Sequence, residues 1–466
     1  MTSAKPTVAN KYQRARELSG CAPAAPAAAA TEAVASPALP RENLRLRCVD
    51  RERVIPIPTR LEALLPADHL ARLIWTATAR LDLTAFYASI VVVIGGPGQA
   101  ATDPRILTAL WLYATSQGVT SARDLNELCV AHLAYIWLCG GVSMNYHTLS
   151  DFRTQHLAAL DALLTEVLGC LDYAGLIAYA HTAQDGMRVR ASAGAASFRR
   201  EATLEKCLAT AKAQVATLTT PAATTEPVAA RTQAARARAA AERVARLEAA
   251  LAELPAAQAA KAADKQAAAR VSTTDPAARV MKMADGGFRP AYNFEFATDT
   301  AHRVIVGVDV TNAGSDKAEL APMLPQEQER CAQLPADWLV DGGFVSQAAL
   351  ETAADQDVRV LAPVPKPKDP NRDPALPLAT DSPVMAAWRS RMATDEAKAT
   401  YKLRAATSEC VNAQARTQHG LQQLRVRGLL KALAVALWIA ITHDLLIWLQ
   451  HLATPTISPP AMPAGV

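Results

Sequence analysis

The chain reads as a mixed α/β protein: an all-helical N-terminal domain followed by an α/β core that a helical hairpin insert interrupts. Three observations predict this. From position 58 to 175 apolar residues recur at helical steps with short breaks. The same steps return in 198–270, where Leu204, Leu208, Ala211, Val215 and Leu218 share one face and Val244, Leu247, Leu251 and Leu254 another. Beyond the insert the period becomes two, Tyr292, Phe294 and Phe296 alternating with Asn293 and Glu295, which is the signature of a strand.

Taken in order, 1–50 is an Ala/Pro-rich stretch expected to be a disordered tail, and 453–466 is a second tail. The helical domain spans 51–175. Within it Thr120 or Ser121 can cap a helix that reaches Leu125 and Leu128, and 146–160 forms a further helix in a helix-turn-helix outline. A strand around 177–189 is expected to deliver Asp185 at its exit. The core comprises 176–197 and 272–452, and the insert 198–271 separates them. After the insert come a hairpin turning at Asp299-Thr300, a helix over 316–330, and a strand at Trp338-Leu339-Val340 that ends in Asp341-Gly342-Gly343-Phe344. A helix over 346–354, a strand over 358–362 and a proline-rich loop over 363–383 follow. Helices resume at Val384, run on through 409–420, and close the chain over 429–452.

With 466 residues there is room for about three domains of ordinary size. The formal charge, 48 − 44 = +4, excludes a polycation that coats nucleic acid, so any basic surface is local. One concentration stands out: between 198 and 270 there are 12 Lys and Arg against 7 Asp and Glu, a surplus of +5. That surplus favours phosphate contact by the insert. The 8 cysteines are scattered without a Cys-x-x-Cys pair, which suits reduced thiols in the cytoplasm rather than a disulfide framework or a zinc site. The first residues lack the apolar stretch of a signal peptide. The apolar segment 429–449 is interrupted by Lys431, Thr442, His443 and Asp444, so a buried helix explains it better than a membrane span.

Asp185 and Asp341 stand where strands are expected to end, and Glu409 lies in a late helix. Three carboxylates arriving from two strands and a helix suit a pair of hard divalent ions, which take oxygen ligands and together serve in-line phosphoryl transfer. Aspartate also favours turns for purely conformational reasons, so position alone does not single these acids out. Arg188 and Arg190 follow Asp185 at alternate positions and can hold a phosphate or form a solvated strand edge. Lys282, Arg289 and Tyr292 flank Asp285-Gly286-Gly287, whose glycines admit a close backbone approach. In the helix from Tyr146, Asn145, His147, Ser150 and Arg153 are available to DNA, while Leu149 and Phe152 pack inward. Trp338, Trp388, His443 and Asp444 read as core.

Four motifs in order resemble the DDE transposases of bacterial insertion sequences. They are QDGMRVRASA (184–193), TDPAARVMKMADGGFRPAYN (274–293), VDGGF (340–344) and YKLRAATSECVNAQAR (401–416). Upstream, DPRILTALWLYATSQGVTSARDL (103–125) and NYHTLSDFR (145–153) are similar to the helical domain that accompanies such transposases. The resemblance implies a ribonuclease-H-like catalytic domain, a metal-binding triad of Asp185, Asp341 and Glu409, and two Mg²⁺ or Mn²⁺ ions. It also implies a signature of Tyr401, Arg404, Glu409 and a basic residue, here Arg416. One spacing departs: four residues lie between Arg404 and Glu409 where the superfamily has three, which makes Glu396 the fallback for the third acid. The implied partners are the terminal inverted repeats and target DNA, bound by a homodimer in the cytoplasm at the nucleoid. The rival readings are a nuclease without strand transfer and an inactive or domesticated DNA-binding relative.

Overall fold

The computed structural model describes residues 60–92, 97, 99–219, 227–367 and 372–453. The tail expected over 1–50, and the one beyond Ala453, lie outside these residues.

The N-terminal half is helical because its apolar positions repeat at helical spacing and its starts are capped. Helices α1 (Leu70–Thr78), α2 (Thr84–Tyr87), α3 (Pro104–Ser116), α4 (Ala122–Ala131), α5 (Leu133–Cys139), α6 (Tyr146–Gln155) and α7 (Leu157–Tyr173) follow one another. Asp103 caps α3, with Pro104 in its first turn, and Ser121 caps α4. The helix expected over 146–160 is two: His156 leaves helical geometry (φ −107°, ψ 44°) between α6 and α7.

Strand β1 (His181–Arg190) lies at the centre of the sheet. Asp185 sits in its middle and not at its exit, because Met187 and Val189 continue the buried row and pairing with β5 (Phe288–Asp299) persists to Arg190. Helices α8 (Glu201–Thr219) and α9 (Pro227–Ala259) form the expected antiparallel insert. They share a small separate core that includes Leu204, Ala211, Leu247 and Leu254. At its base β2 (Phe198–Arg199) pairs with β3 (Val271–Ser272), so the chain leaves and returns at one place. Strand β4 (Arg279–Lys282) pairs with the start of β5, and β6 (Ile305–Thr311) with the rest of the same edge.

On the other side of β1, β7 (Asp337–Leu339) and β8 (Arg359–Leu361) run parallel to it and to one another. Three antiparallel strands, β6, β5 and β1, are thus extended by two parallel ones. The crossover between β7 and β8 is α11 (Gln347–Ala354), which follows α10 (Met323–Cys331). Residues 316–322, expected as the first turns of that helix, precede α10 as non-helical chain. Helices α12 (Pro383–Ala393), α13 (Asp395–Tyr401), α14 (Cys410–Thr417) and α15 (Leu429–Ala453) complete the fold.

By length and composition α15 is able to cross a membrane, yet 72% of its apolar window is buried against the rest of the chain. Two of its polar interruptions find partners there, although the second oxygen of Asp444 has none among the described residues. Asp444 accepts from the Ile305 amide at 2.9 Å, and a ring nitrogen of His443 lies 2.9 Å from the Arg303 carbonyl. One continuous core runs from Ile74 and Trp111 through Phe294 and Trp338 to Trp438 and joins the helical half to the sheet.

Candidate functional site

Two of the three expected acids meet. Asp185 projects from mid-β1 and Asp341 from the turn just past β7, and a single guanidinium reaches both. Nη2 of Arg404 donates to Asp185 Oδ1 at 2.8 Å and lies 4.0 Å from Asp341 Oδ2. The second Asp185 oxygen accepts from Nδ2 of Asn412, on α14, at 3.0 Å. Asp341 Oδ1 accepts from the Gly343 amide at 2.6 Å, so the glycine turn holds that carboxylate in place. Burial raises the pKa of Asp185; the Arg404 charge opposes the rise, and the negative charges of Asp341 and Asp316 add to it.

Glu409 does not join them. It ends a π-helical turn, Ala405–Glu409, and is exposed. The turn itself accounts for the irregular spacing. A π turn accommodates one residue more than an α turn, so the extra residue between Arg404 and Glu409 is absorbed where it occurs and the helix resumes in phase at Cys410. Glu396 is exposed on α13. Tyr401 and Arg416 are half-buried at the two ends of the same helical stretch.

Behind the aspartates lies a second polar cluster, built on strands rather than helices. Gly186 pairs directly with Glu295, and Arg188 with Asn293. The residues at 293 and 295, which alternate with the aromatic row, are buried as well, because β5 is covered on both faces. Asn293 Nδ2 donates to Glu295 Oε1 at 2.6 Å and to Asp316 Oδ1 at 2.7 Å. Gln184 Nε2 donates to Glu295 Oε2 at 3.2 Å and to the Glu319 carbonyl at 2.9 Å, while Trp338 Nε1 donates to Gln184 Oε1 at 3.0 Å. Burial drives the Glu295 carboxyl far above the usual carboxylate range, and the charges of Asp316, Glu319 and Asp185 add to this. Glu319 is pushed up to about 6, again chiefly by burial.

Several residues expected to touch DNA are placed elsewhere. Arg153 is buried, not at the surface of α6. Its guanidinium stacks 4.5 Å from the Trp111 ring and donates to the Thr120 carbonyl at 2.5 Å, and burial lowers its pKa to about 10. Trp111 and Trp438 also donate to the α6 carbonyls of Leu149 and Arg153, so this helix is packed from two sides. Leu149 and Phe152 point inward as expected. Tyr292 is fully buried and donates its hydroxyl to Asp275 at 2.6 Å, which leaves nothing for a phosphate.

Arg188 and Arg190 alternate on the face of β1 opposite to that of Asp185. Arg188 is tied to Asp316 at 3.2 Å, while Arg190 is exposed. Arg289 pairs with Asp285 at 2.7 Å, and Lys282 is exposed beside it. Asp316 and Asn412 were not singled out by sequence. Asp316 is hidden by a loop whose fold depends on β6. Asn412 carried a legible signal, since it lies one helical turn beyond Glu409.

Oxygen donors at Asp185 and Asp341 suit a hard divalent ion. In this conformation, however, Arg404 holds the place between them, and among the described residues no group of three or more His, Cys, Asp or Glu is close enough to hold a metal.

Residues 59–155 match the family described as Transposase domain (DUF772). No curated protein and no solved structure matches the chain. The matched segment covers α1 to α6 and ends before Asp185, so the likeness to transposases that it establishes rests on the helical half.

Proposed function

We propose that the chain is a DNA transposase that cuts the ends of its element and joins them to target DNA by a DDE-type reaction on a ribonuclease-H-like domain. The observation that carries this reading is the meeting of Asp185 and Asp341 at one guanidinium, on β1 and just past β7, in a chain whose 59–155 segment is similar to a transposase domain. The mixed sheet, three antiparallel strands extended by two parallel ones with the acids on its central pair, supports the catalytic fold.

Asp185, Asp341 and Glu409 would hold two Mg²⁺ or Mn²⁺ ions, which when bound activate the attacking oxygen and stabilise the leaving one. The chain's own part is positioning. Asn412 orients the Asp185 carboxylate, the Gly343 amide fixes that of Asp341, and the strand cluster at Glu295 holds β1 and β5 in register beneath them. Tyr401 and Arg416 stand on the same helical stretch, where they can meet DNA phosphates, and Arg404 can do so only when it leaves the aspartates. No protein nucleophile is required. The working unit is a homodimer bound to both terminal inverted repeats in the cytoplasm.

One observation favours a second reading, a relative that binds DNA without chemistry: Glu409 stands apart from the two aspartates. A plasmid carrying the inverted repeats that flank the gene separates the readings. Metal-dependent cleavage that Asp185→Asn and Asp341→Asn abolish, followed by strand transfer, supports the transposase. Cleavage without joining indicates a nuclease, and binding without cleavage the inactive relative.

A further inference from the structure

From the geometry around Arg404 we infer that the chain is built to rest in a closed form, in which this guanidinium is the counter-ion of Asp185 and Asp341 and keeps divalent cations out until it withdraws. The inference rests on the two-metal reading given above.

Arg404 lies 2.8 Å from one aspartate and 4.0 Å from the other, and its side chain is 12% exposed, against 20% for Asp185 and 43% for Asp341. It is thus the more deeply seated partner, an inserted cation and not a surface arm. Its Nε is buried and has no hydrogen-bond partner among the described residues. A buried donor left unpaired carries a desolvation cost, which lowers the barrier to leaving. Both oxygens of Asp185 are occupied from one helical stretch, Oδ1 by Arg404 and Oδ2 by Asn412. Hydrogen bonds leave lone pairs on both oxygens, so what keeps a divalent cation away is the positive charge of Arg404 seated against Asp185 and Asp341.

The neighbouring charges give the arginine its reason to be there. Asp316 is paired with Arg188, whereas Asp185 and Asp341 have Arg404 as the cation between them. Two carboxylates this close repel, and one guanidinium offsets both.

The segment that permits withdrawal follows immediately. Residues Ala405–Glu409 form the π turn, with Arg404 at its N-terminal edge and Glu409 at its end. Conversion of a π turn to α geometry moves the flanking residues by one position in register, about 100° around the axis. The same movement that takes Arg404 off the aspartates changes the direction in which Glu409 projects. Withdrawal of the cation and recruitment of the third acid are therefore one event in the backbone. The freed guanidinium is then available to a DNA phosphate.

The test is Mn²⁺ binding to the full chain, read from the loss of the free-ion electron paramagnetic resonance signal, without any turnover. If wild type spends nine-tenths of its time closed, Arg404→Gln binds Mn²⁺ about 10-fold more tightly, since apparent affinity scales with the competent fraction. Arg404→Lys, whose ammonium cannot span both carboxylates, falls between the two and serves if the glutamine variant does not fold. Equal or weaker binding by both variants, with wild type binding measurably and Asp185→Asn not, overturns the closed form while leaving the metal reading intact. Absence of Mn²⁺ binding in wild type and in both variants overturns the metal reading and the closed form together.

Discussion

Gly186 and Glu295 face one another across the β1–β5 pair so closely that a methyl group on the glycine would lie 2.5 Å from Glu295 Oε1 and 3.0 Å from Asn293 Nδ2 and Asp316 Oδ1. Asn293 and Glu295 are buried and Asp316 half-buried, and hydrogen bonds tie all three together, so the cluster must shift as a unit to make room. Gly186→Ala is expected to cost about 1–3 kcal/mol, as overpacking does, and to impair the adjacent Asp185. Chemical denaturation and a cleavage assay on the same preparation check both effects; unchanged stability would show that the cluster is loose.

Asn412 holds an oxygen of Asp185 at 3.0 Å. On the proposed two-metal reaction, Asn412→Ala should leave the fold and end binding in place and lower cleavage by about 10- to 100-fold, the usual effect of losing a group that orients a metal ligand. Full activity in this variant would mean that Asp185 needs no orienting partner from α14.

Arg231, Arg236, Arg238 and Arg243 are exposed on α9, and no ion pair holds them among the described residues. If the insert lies along DNA, replacing all four by Gln makes the dependence of log affinity on log salt shallower by up to about 0.9 per lost phosphate contact. A titration of duplex binding between low and moderate salt measures this, and an unchanged slope would assign the insert another role. Arg153→Ala is the contrasting case. It should lower stability by on the order of 2 kcal/mol, through lost stacking on Trp111 and the lost bond to Thr120, and leave the salt slope as it was.

Glu327 is fully buried beside Thr182, and burial pushes its carboxyl up from 4.5 to about 8. The unfolded chain therefore releases this proton at lower pH than the folded one. Between about pH 4.5 and 8 the native state holds more protons, so stability falls as pH rises and levels off above 8. Glu327→Gln should flatten that decline, by a few kcal/mol at most, in melting curves taken across this range. His443 acts at the acid end. Burial lowers its pKa to about 4, so stability falls as pH drops from about 6.5 toward 4.

Much of the fold was legible because hydrophobic period reports burial. The paired insert helices, the hairpin after Asp299 and the buried nature of 429–449 all follow from spacing, and Ser121 caps its helix as local chemistry requires. Misreadings arose where tertiary cover decides exposure. Alternation placed Asn293 and Glu295 on a polar face without revealing that the face is buried. Arginine at 153 suggested contact with DNA because sequence does not show Trp111 and Trp438 closing around α6. At the site, Asp185 and Asp341 were findable as acids at expected strand ends that fall in the motifs of the family resemblance. Asp316 was not, since it reaches the cluster only when a loop over 312–322 folds back on β5. The added residue before Glu409 counted against the motif as a spacing, and only backbone geometry shows a turn that absorbs it.

The two-residue ladder of Phe198–Arg199 with Val271–Ser272 makes the insert a graft. Its stem, a ladder apart from the main sheet, leaves after β1 and returns before β4, and it carries its own apolar seam, so changes in arm length need not be felt at β1 or β5. A lineage could lengthen, recharge or exchange the arm while the acids stayed in register, and an experimenter could splice a reporter there for the same reason.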